Sequence, residues 1–195
     1  MEKELLGAAA TGIAIIGYIL YARSVLRGRS MPHVFSWLIW GLISGIAFAV
    51  QVAERAGPGA WSTAVGAVGC LLVFTLGLRR GSRSFSKFDW TCLTLSLLAV
   101  GLWIATDIPL TAAILVTIAD AIAYVPTYRK GFRLPFEEHL APYLIGAIIP
   151  LLAIPAIERY VVANWLSPAS LIITNAAFVT MVLVRRQATI TQTAR

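Results

Sequence analysis

A single carboxyl group sits in the middle of a long apolar run of this chain, at Asp120. At ~100° per residue, Thr117, Asp120, Tyr124 and Thr127 fall on one helical stripe. An ionisable group at bilayer depth costs several kcal/mol unless it is paired or hydrated, so it is a functional candidate by default. Two roles fit these residues. Asp120 is either a proton-coupling carboxylate that responds when solute or water enters, or a structural acid satisfied by a Thr, Tyr or Trp on a neighbouring helix.

Further polar residues recur at helical spacing. His33, Ser36, Trp40, Ser44 and Gln51 lie within roughly 60° of one another on a helix, which sets an aromatic surface among hydrogen-bonding groups. Ordinary packing accounts for the same residues, with Gln51 reaching the outer interface. Ser170, Thr174 and Asn175 form a third cluster. Asn175 stands out because its amide has four hydrogen-bonding sites that need partners in hydrocarbon. Trp37 and Trp61 suit packing or interfacial anchoring better than binding, and Trp90 and Trp103 suit an aromatic belt. His33 and His139 could gate or sense pH, but solvated, headgroup-level imidazoles are the commoner outcome. Pro126 and Pro150 are candidate gating or hinge positions, with Pro142 and Pro155 alongside; Pro126 also suits the end of a helix. Cys70 and Cys92 lie inside apolar runs and pack as small hydrophobes, without the Cys/His spacing of a metal site.

Catalytic parts are missing from the sequence. There is no His-Glu-x-x-His, no Gly-x-Ser-x-Gly and no second intramembrane Asp, so hydrolysis is not expected. No cofactor or metal is expected either. Retinal attachment needs a lysine within a helix near the end of the chain, and the lysines are Lys3, Lys87 and Lys130. A net charge of +7 would suit nucleic acid. The cations instead sit in short links between apolar runs, where they set orientation and attract lipid headgroups.

Those links separate seven apolar runs, at 5–22, 33–53, 58–78, 88–106, 108–128, 139–157 and 165–184. Each is near the ~20 residues that cross a ~30 Å hydrocarbon core. Arg23, Arg27 and Arg29, then Arg79, Arg80, Arg83 and Lys87, then Arg129, Lys130 and Arg133, then Arg185, Arg186 and Arg195 occupy alternate links and the tail. The other side carries only Lys3, Arg55 and Arg159. The positive-inside rule predicts an outside amino terminus and a cytoplasmic carboxy terminus. The acidic start Met1-Glu2-Lys3-Glu4 and the lack of a convincing cleavage site favour a first helix over a removable signal.

A shift of 106 positions lays the first half on the second without a gap. Tyr18 meets Tyr124, Arg23 meets Arg129, Arg27 meets Arg133 and His33 meets His139. Leu38-Ile39 meets Leu144-Ile145, and Arg79-Arg80 meets Arg185-Arg186. The predicted organisation is a first three-helix repeat at 1–82, a linker helix at 83–107, a second repeat at 108–187 and a tail at 188–195. An odd linker makes the two repeats parallel, an arrangement that holds substrate between them near the midplane.

This 3+1+3 plan resembles the SWEET and PQ-loop transporter superfamily over essentially the whole chain, as a divergent bacterial-type member. The local signature is Tyr124-Val125-Pro126-Thr127 before Arg129-Lys130, with Thr127 in place of the family's Gln and Leu20-Tyr21 at the matching positions of the first repeat. The resemblance implies an all-α integral membrane transporter in the bacterial inner membrane. Its substrate would be a small polar solute such as a sugar or amino acid, moved by alternating access, as a facilitator or with protons. It also implies a site in which Asn175 holds substrate hydroxyls. The first-repeat partner of Asn175 is Gly69, and Gly146 stands opposite Trp40, with Tyr143 nearby. The expected binding set is Asn175, Trp40, Asp120, Tyr124, Tyr18, Ser44 and Thr174. The expected partners are lipid and solute, not nucleic acid, and homo-oligomerisation is open. The alternative is a receptor or scaffold on the same fold; peptide capture would need more charge at depth than Asp120 supplies.

Overall fold

The computed structural model describes residues 1–30, 32, 34–81, 87–137 and 140–193. His33, His139 and the expected boundary between the first repeat and the linker lie outside these residues. Seven α-helices occur among them: α1 (Glu2–Leu26), α2 (Val34–Ala53), α3 (Trp61–Arg80), α4 (Lys87–Thr106), α5 (Pro109–Arg133), α6 (Ala141–Ala153) and α7 (Val162–Thr193). The described residues include no strand. The chain is an all-helical, multi-pass membrane protein. Six helices are long and apolar enough to cross a bilayer, α3 together with the 3-10 turn Gly57–Ala60 that leads into it.

The exception is α6. Its 13 residues extend roughly 20 Å, short of a ~30 Å hydrocarbon core. The expected run at 139–157 therefore gives a shorter helix. Pro155 has no amide hydrogen to bond back to Leu151, and the chain continues in tighter turns, Ala156 N–H to Ala153 O (3.1 Å) and Ile157 N–H to Ile154 O (3.0 Å). In contrast, α5 runs unbroken through position 126, so Pro126 does not end it. α7 also outruns its apolar stretch, continuing past Arg185-Arg186 to Thr193.

Helix ends follow local chemistry. Glu2 and Glu4 in the first turn of α1 and Arg23 in its last complement the helix dipole. α1 closes with Arg29 N–H to Ser24 O and Gly28 N–H to Val25 O, Gly28 having a positive φ of 69°. α2 closes the same way, through Ala56 N–H to Gln51 O and Arg55 N–H to Val52 O. Here a non-glycine, Arg55, takes the left-handed position at φ 55°.

The helices assemble as two triplets of one design. α3 packs between α1 and α2, and α7 packs between α5 and α6. The triplets then meet crosswise, α1 on α6 and α2 on α5. α4 lies against α5 and α2, where Cys92, Ala99, Ala112, Ala113, Val116 and Ala119 join Ile39, Ile43 and Ile46 in the main core. Such small residues let helix backbones approach closely, which is how association proceeds without a hydrophobic driving force. The Cys92 thiol reaches Ala119 O at 3.1 Å across this seam. Large apolar side chains point outward instead, Ile104 at 80% exposure and Val68 and Ile173 at 68%. A lipid-facing exterior accounts for such a surface; water does not.

Contacts define two faces. The amino-terminal face gathers the start of α1, the α2–α3 link and the α6–α7 link. Lys3 Nζ donates to Ile157 O (2.7 Å), Arg159 pairs with Glu54 (2.9 Å), and Glu158 N–H donates to Ala56 O (2.9 Å). At the opposite face, arginines from the two repeated pairs bind helix-end carbonyls. Arg80 donates to Leu26 O, Arg185 to Phe132 O (3.2 Å) and Arg186 to Pro135 O (2.9 Å). Leu26 and Phe132 are themselves 106 positions apart. In each triplet an arginine from the third helix thus satisfies a carbonyl that the first helix leaves free at its end.

Candidate functional site

Between the triplets lies a cavity of about 330 Å³, at the small end of the ~300–1,000 Å³ typical of ligand pockets. Six helices line it, all except α4. The lining repeats in register, since Ala14 and Asp120, Tyr18 and Tyr124, Trp37 and Tyr143, and Trp40 and Gly146 all face it. So do Ile43 and Ile149, Ser44 and Pro150, Ala47 and Ala153, and Ser62 and Pro168. The members of each pair stand 106 positions apart.

Equivalent positions carry different chemistry in the two triplets. In the second, the Tyr124 hydroxyl donates to Asn175 Oδ1 at 3.1 Å, and Asn175 Nδ2 donates to Leu171 O at 2.8 Å. A Cβ at Gly146 would come within 3.1 Å of that Oδ1, so the bare backbone of α6 makes room for the amide. In the first triplet the Asn175 counterpart is Gly69, and the Tyr18 ring lies where a Cβ at Gly69 would stand. Its hydroxyl reaches Cys70 Sγ at 3.2 Å. The bulk missing at Gly146 is present as Trp40, whose ring meets Trp37 edge-on at 5.6 Å. Trp37 in turn meets Tyr21 at 4.9 Å and Tyr18 at 6.4 Å. One half therefore supplies an aromatic wall, and the other an amide with a tyrosine.

Asp120 faces the cavity at 8% exposure. No described residue hydrogen-bonds or ion-pairs with its carboxyl, and no Lys, Arg or His is among the described lining residues. The neighbouring hydroxyls are committed elsewhere, Thr117 to Ala113 O (2.7 Å) and Tyr124 to Asn175. No Thr, Tyr or Trp of a neighbouring helix bonds its carboxyl among the described residues.

Of the expected binding set, Asn175, Trp40, Asp120, Tyr124, Tyr18 and Ser44 line this one cavity. Thr174 does not; its hydroxyl turns back to Ser170 O (2.9 Å), and its carbonyl accepts from Tyr128 (2.6 Å). Pro150 lines the cavity within α6. Ser36 faces α4 through Asp89 (3.5 Å) rather than the site. Gln51, on the polar stripe of α2, lines the cavity, and so do Trp37 and Cys70, although sequence reasoning favoured packing or interface roles for these two. Trp37 was findable, because the position 106 further on is also aromatic.

Gln51, almost fully buried, lines the amino-terminal end of the cavity. Pro168 in α7 lacks an N–H, which leaves Asn164 O without its usual partner in the helix, and Gln51 Nε2 donates to it at 3.1 Å. Asn164 Nδ2 then ties Glu54 O (3.0 Å) to Arg159 O (2.8 Å). Toward the opposite face the lining runs to Trp37, Pro142 and Tyr143 in the first turns of α2 and α6. Neither a family model, nor a curated protein, nor a solved structure matches this chain.

Proposed function

We propose that this protein is a membrane transporter that carries a small polar solute by alternating access between two three-helix repeats. Residues 1–82 and 108–187 are the two repeats, 83–107 is the linker, the amino terminus is outside, and α6 with its following turns makes the seventh crossing. The observation that carries this reading is the cavity itself. It lies between two like-built triplets, is lined pairwise at the sequence-repeat spacing, and contains unpaired polar groups at depth. A cavity between parallel repeats, with a few polar groups set in a largely apolar wall, is how transporters present solute to both sides in turn. The bonds among Gln51, Asn164, Glu54 and Arg159 make the amino-terminal side the closed one in this conformation.

Solute counterflow in proteoliposomes tests the proposal. Purified protein should exchange labelled solute across the bilayer, and Asn175→Leu should abolish most of that exchange without loss of folded protein. The substitution keeps bulk while removing the amide that would bond solute, a change worth about 1–3 kcal/mol, or roughly fivefold to 150-fold in affinity. Counterflow at the wild-type rate in Asn175→Leu would remove Asn175 from the transport site.

A further inference from the structure

We infer that the solute is a small organic cation, an alkylammonium compound whose charged head sits between Asp120 and the aromatic wall. This inference rests on the transporter reading above and names its substrate class. The carboxyl at Asp120 faces the cavity with no hydrogen-bond or ion-pair partner among the described residues. Among the described lining residues it is the one carboxylate, and they include no basic side chain. A carboxylate taken out of water stays ionised only with a counter-charge or strong donors, and the described lining residues provide neither.

Across the same space stand Tyr18, Trp37 and Trp40, linked edge to face at 6.4 and 5.6 Å, with Tyr124 one turn beyond Asp120. Aromatic faces attract a desolvated ammonium through their quadrupole, with Trp the strongest. A lone acid beside indoles and phenols matches a cationic head and an apolar body. An anion or a zwitterion's carboxylate would find no positive partner among the described lining residues. A bare metal ion would exchange its water for one carboxylate and ring faces, since no group of three or more His, Cys, Asp or Glu side chains able to hold a metal occurs among the described residues.

The experiment is direct binding to detergent-purified protein, followed by quenching of tryptophan fluorescence and by thermal shift. The probes are 5-aminopentan-1-ol and its neutral counterpart pentane-1,5-diol, with sodium chloride as the inorganic control. The aminoalcohol should bind at least about tenfold more tightly than the diol. Asp120→Asn should erase that preference, while Asp120→Glu, which keeps the charge, should retain it. Trp40→Leu should weaken the aminoalcohol more than the diol. Equal binding of both probes, protection by sodium equal to that by the amine, or a preference that survives in Asp120→Asn would each overturn the cation assignment. If neither probe binds while proteoliposomes exchange a neutral solute such as glucose, the cation assignment falls and the transporter reading stands. If no solute tested is exchanged at all, the transporter reading falls with it.

Discussion

Asp120 and Asn175 illustrate what a residue type at depth does and does not disclose. Both were visible in the sequence as polar groups in apolar runs, because hydrocarbon tolerates such groups only when something satisfies them. What satisfies them is a long-range matter. Asn175 is held by Tyr124, 51 positions away, whereas Asp120 has no such protein partner among the described residues. A carboxyl left open to the cavity can hold a proton in one half of a transport cycle and release it in the other. Among the described residues, the titratable groups that interact with it are Cys70 on α3, Cys92 on α4 and Tyr124 on its own helix. Asp120→Asn preserves shape but cannot exchange a proton. With solute raised to saturation, the variant should retain counterflow yet lose accumulation driven by an imposed pH gradient. Both rates are measurable on the same vesicles, and gradient-driven accumulation in Asp120→Asn would exclude the carboxyl from coupling.

At the scale of elements, the Schellman ends of α1 and α2 differ in one residue, and the difference has an energetic consequence. Gly28 occupies the left-handed position after α1, while Arg55 occupies it after α2. A side chain in that conformation costs about 1–2 kcal/mol, which glycine avoids. Arg55→Gly should therefore raise the melting temperature in detergent, offset in part by the larger entropy of glycine in the unfolded chain. A lower melting temperature would mean that the arginine makes compensating contacts. The elements also show how far the sequence could be followed. The 106-position repeat was found from identical Tyr, Arg and His residues, and the cavity lining obeys the same spacing. Matching by identity missed Trp37 with Tyr143, which share aromatic character only. The shortness of α6 was not evident, because hydropathy runs on through Pro155 although the helix bonding does not. Nor was the use made of Pro168, whose missing N–H matters only because Gln51, far away in sequence, reaches the carbonyl it frees.

At the scale of the whole molecule, the two triplets share an architecture and divide the chemistry. The first supplies Trp37, Trp40 and Tyr18; the second supplies Asp120, Tyr124 and Asn175. Neither half alone contains both the aromatic wall and the acid, so the site exists only where they meet. The charge alternation predicts their orientation in the bilayer. A cysteine at Glu2 should react with an impermeant maleimide only from outside, and one at the exposed Ala188 only from the cytoplasm. The reverse labelling would invert the topology. Movement of the halves is the more demanding claim. The links at the amino-terminal face hold that side shut in this conformation, Glu54 and Arg159 being joined at 2.9 Å across a charge pair that is exposed on the arginine side. Exposed pairs contribute only ~1 kcal/mol or less, so this contact can break on every cycle, whereas a covalent link cannot. A Glu54→Cys, Arg159→Cys protein should fold, and under oxidising conditions it should stop exchanging solute while still binding it from the cytoplasmic side. Reduction should restore exchange. Cys70 and Cys92 are buried and would stay out of the reaction. Full exchange in the crosslinked protein, verified by its mobility on a non-reducing gel, would show that these two links need not separate. Solute would then have to leave by a path that avoids the amino-terminal face, which is incompatible with alternating access through this cavity.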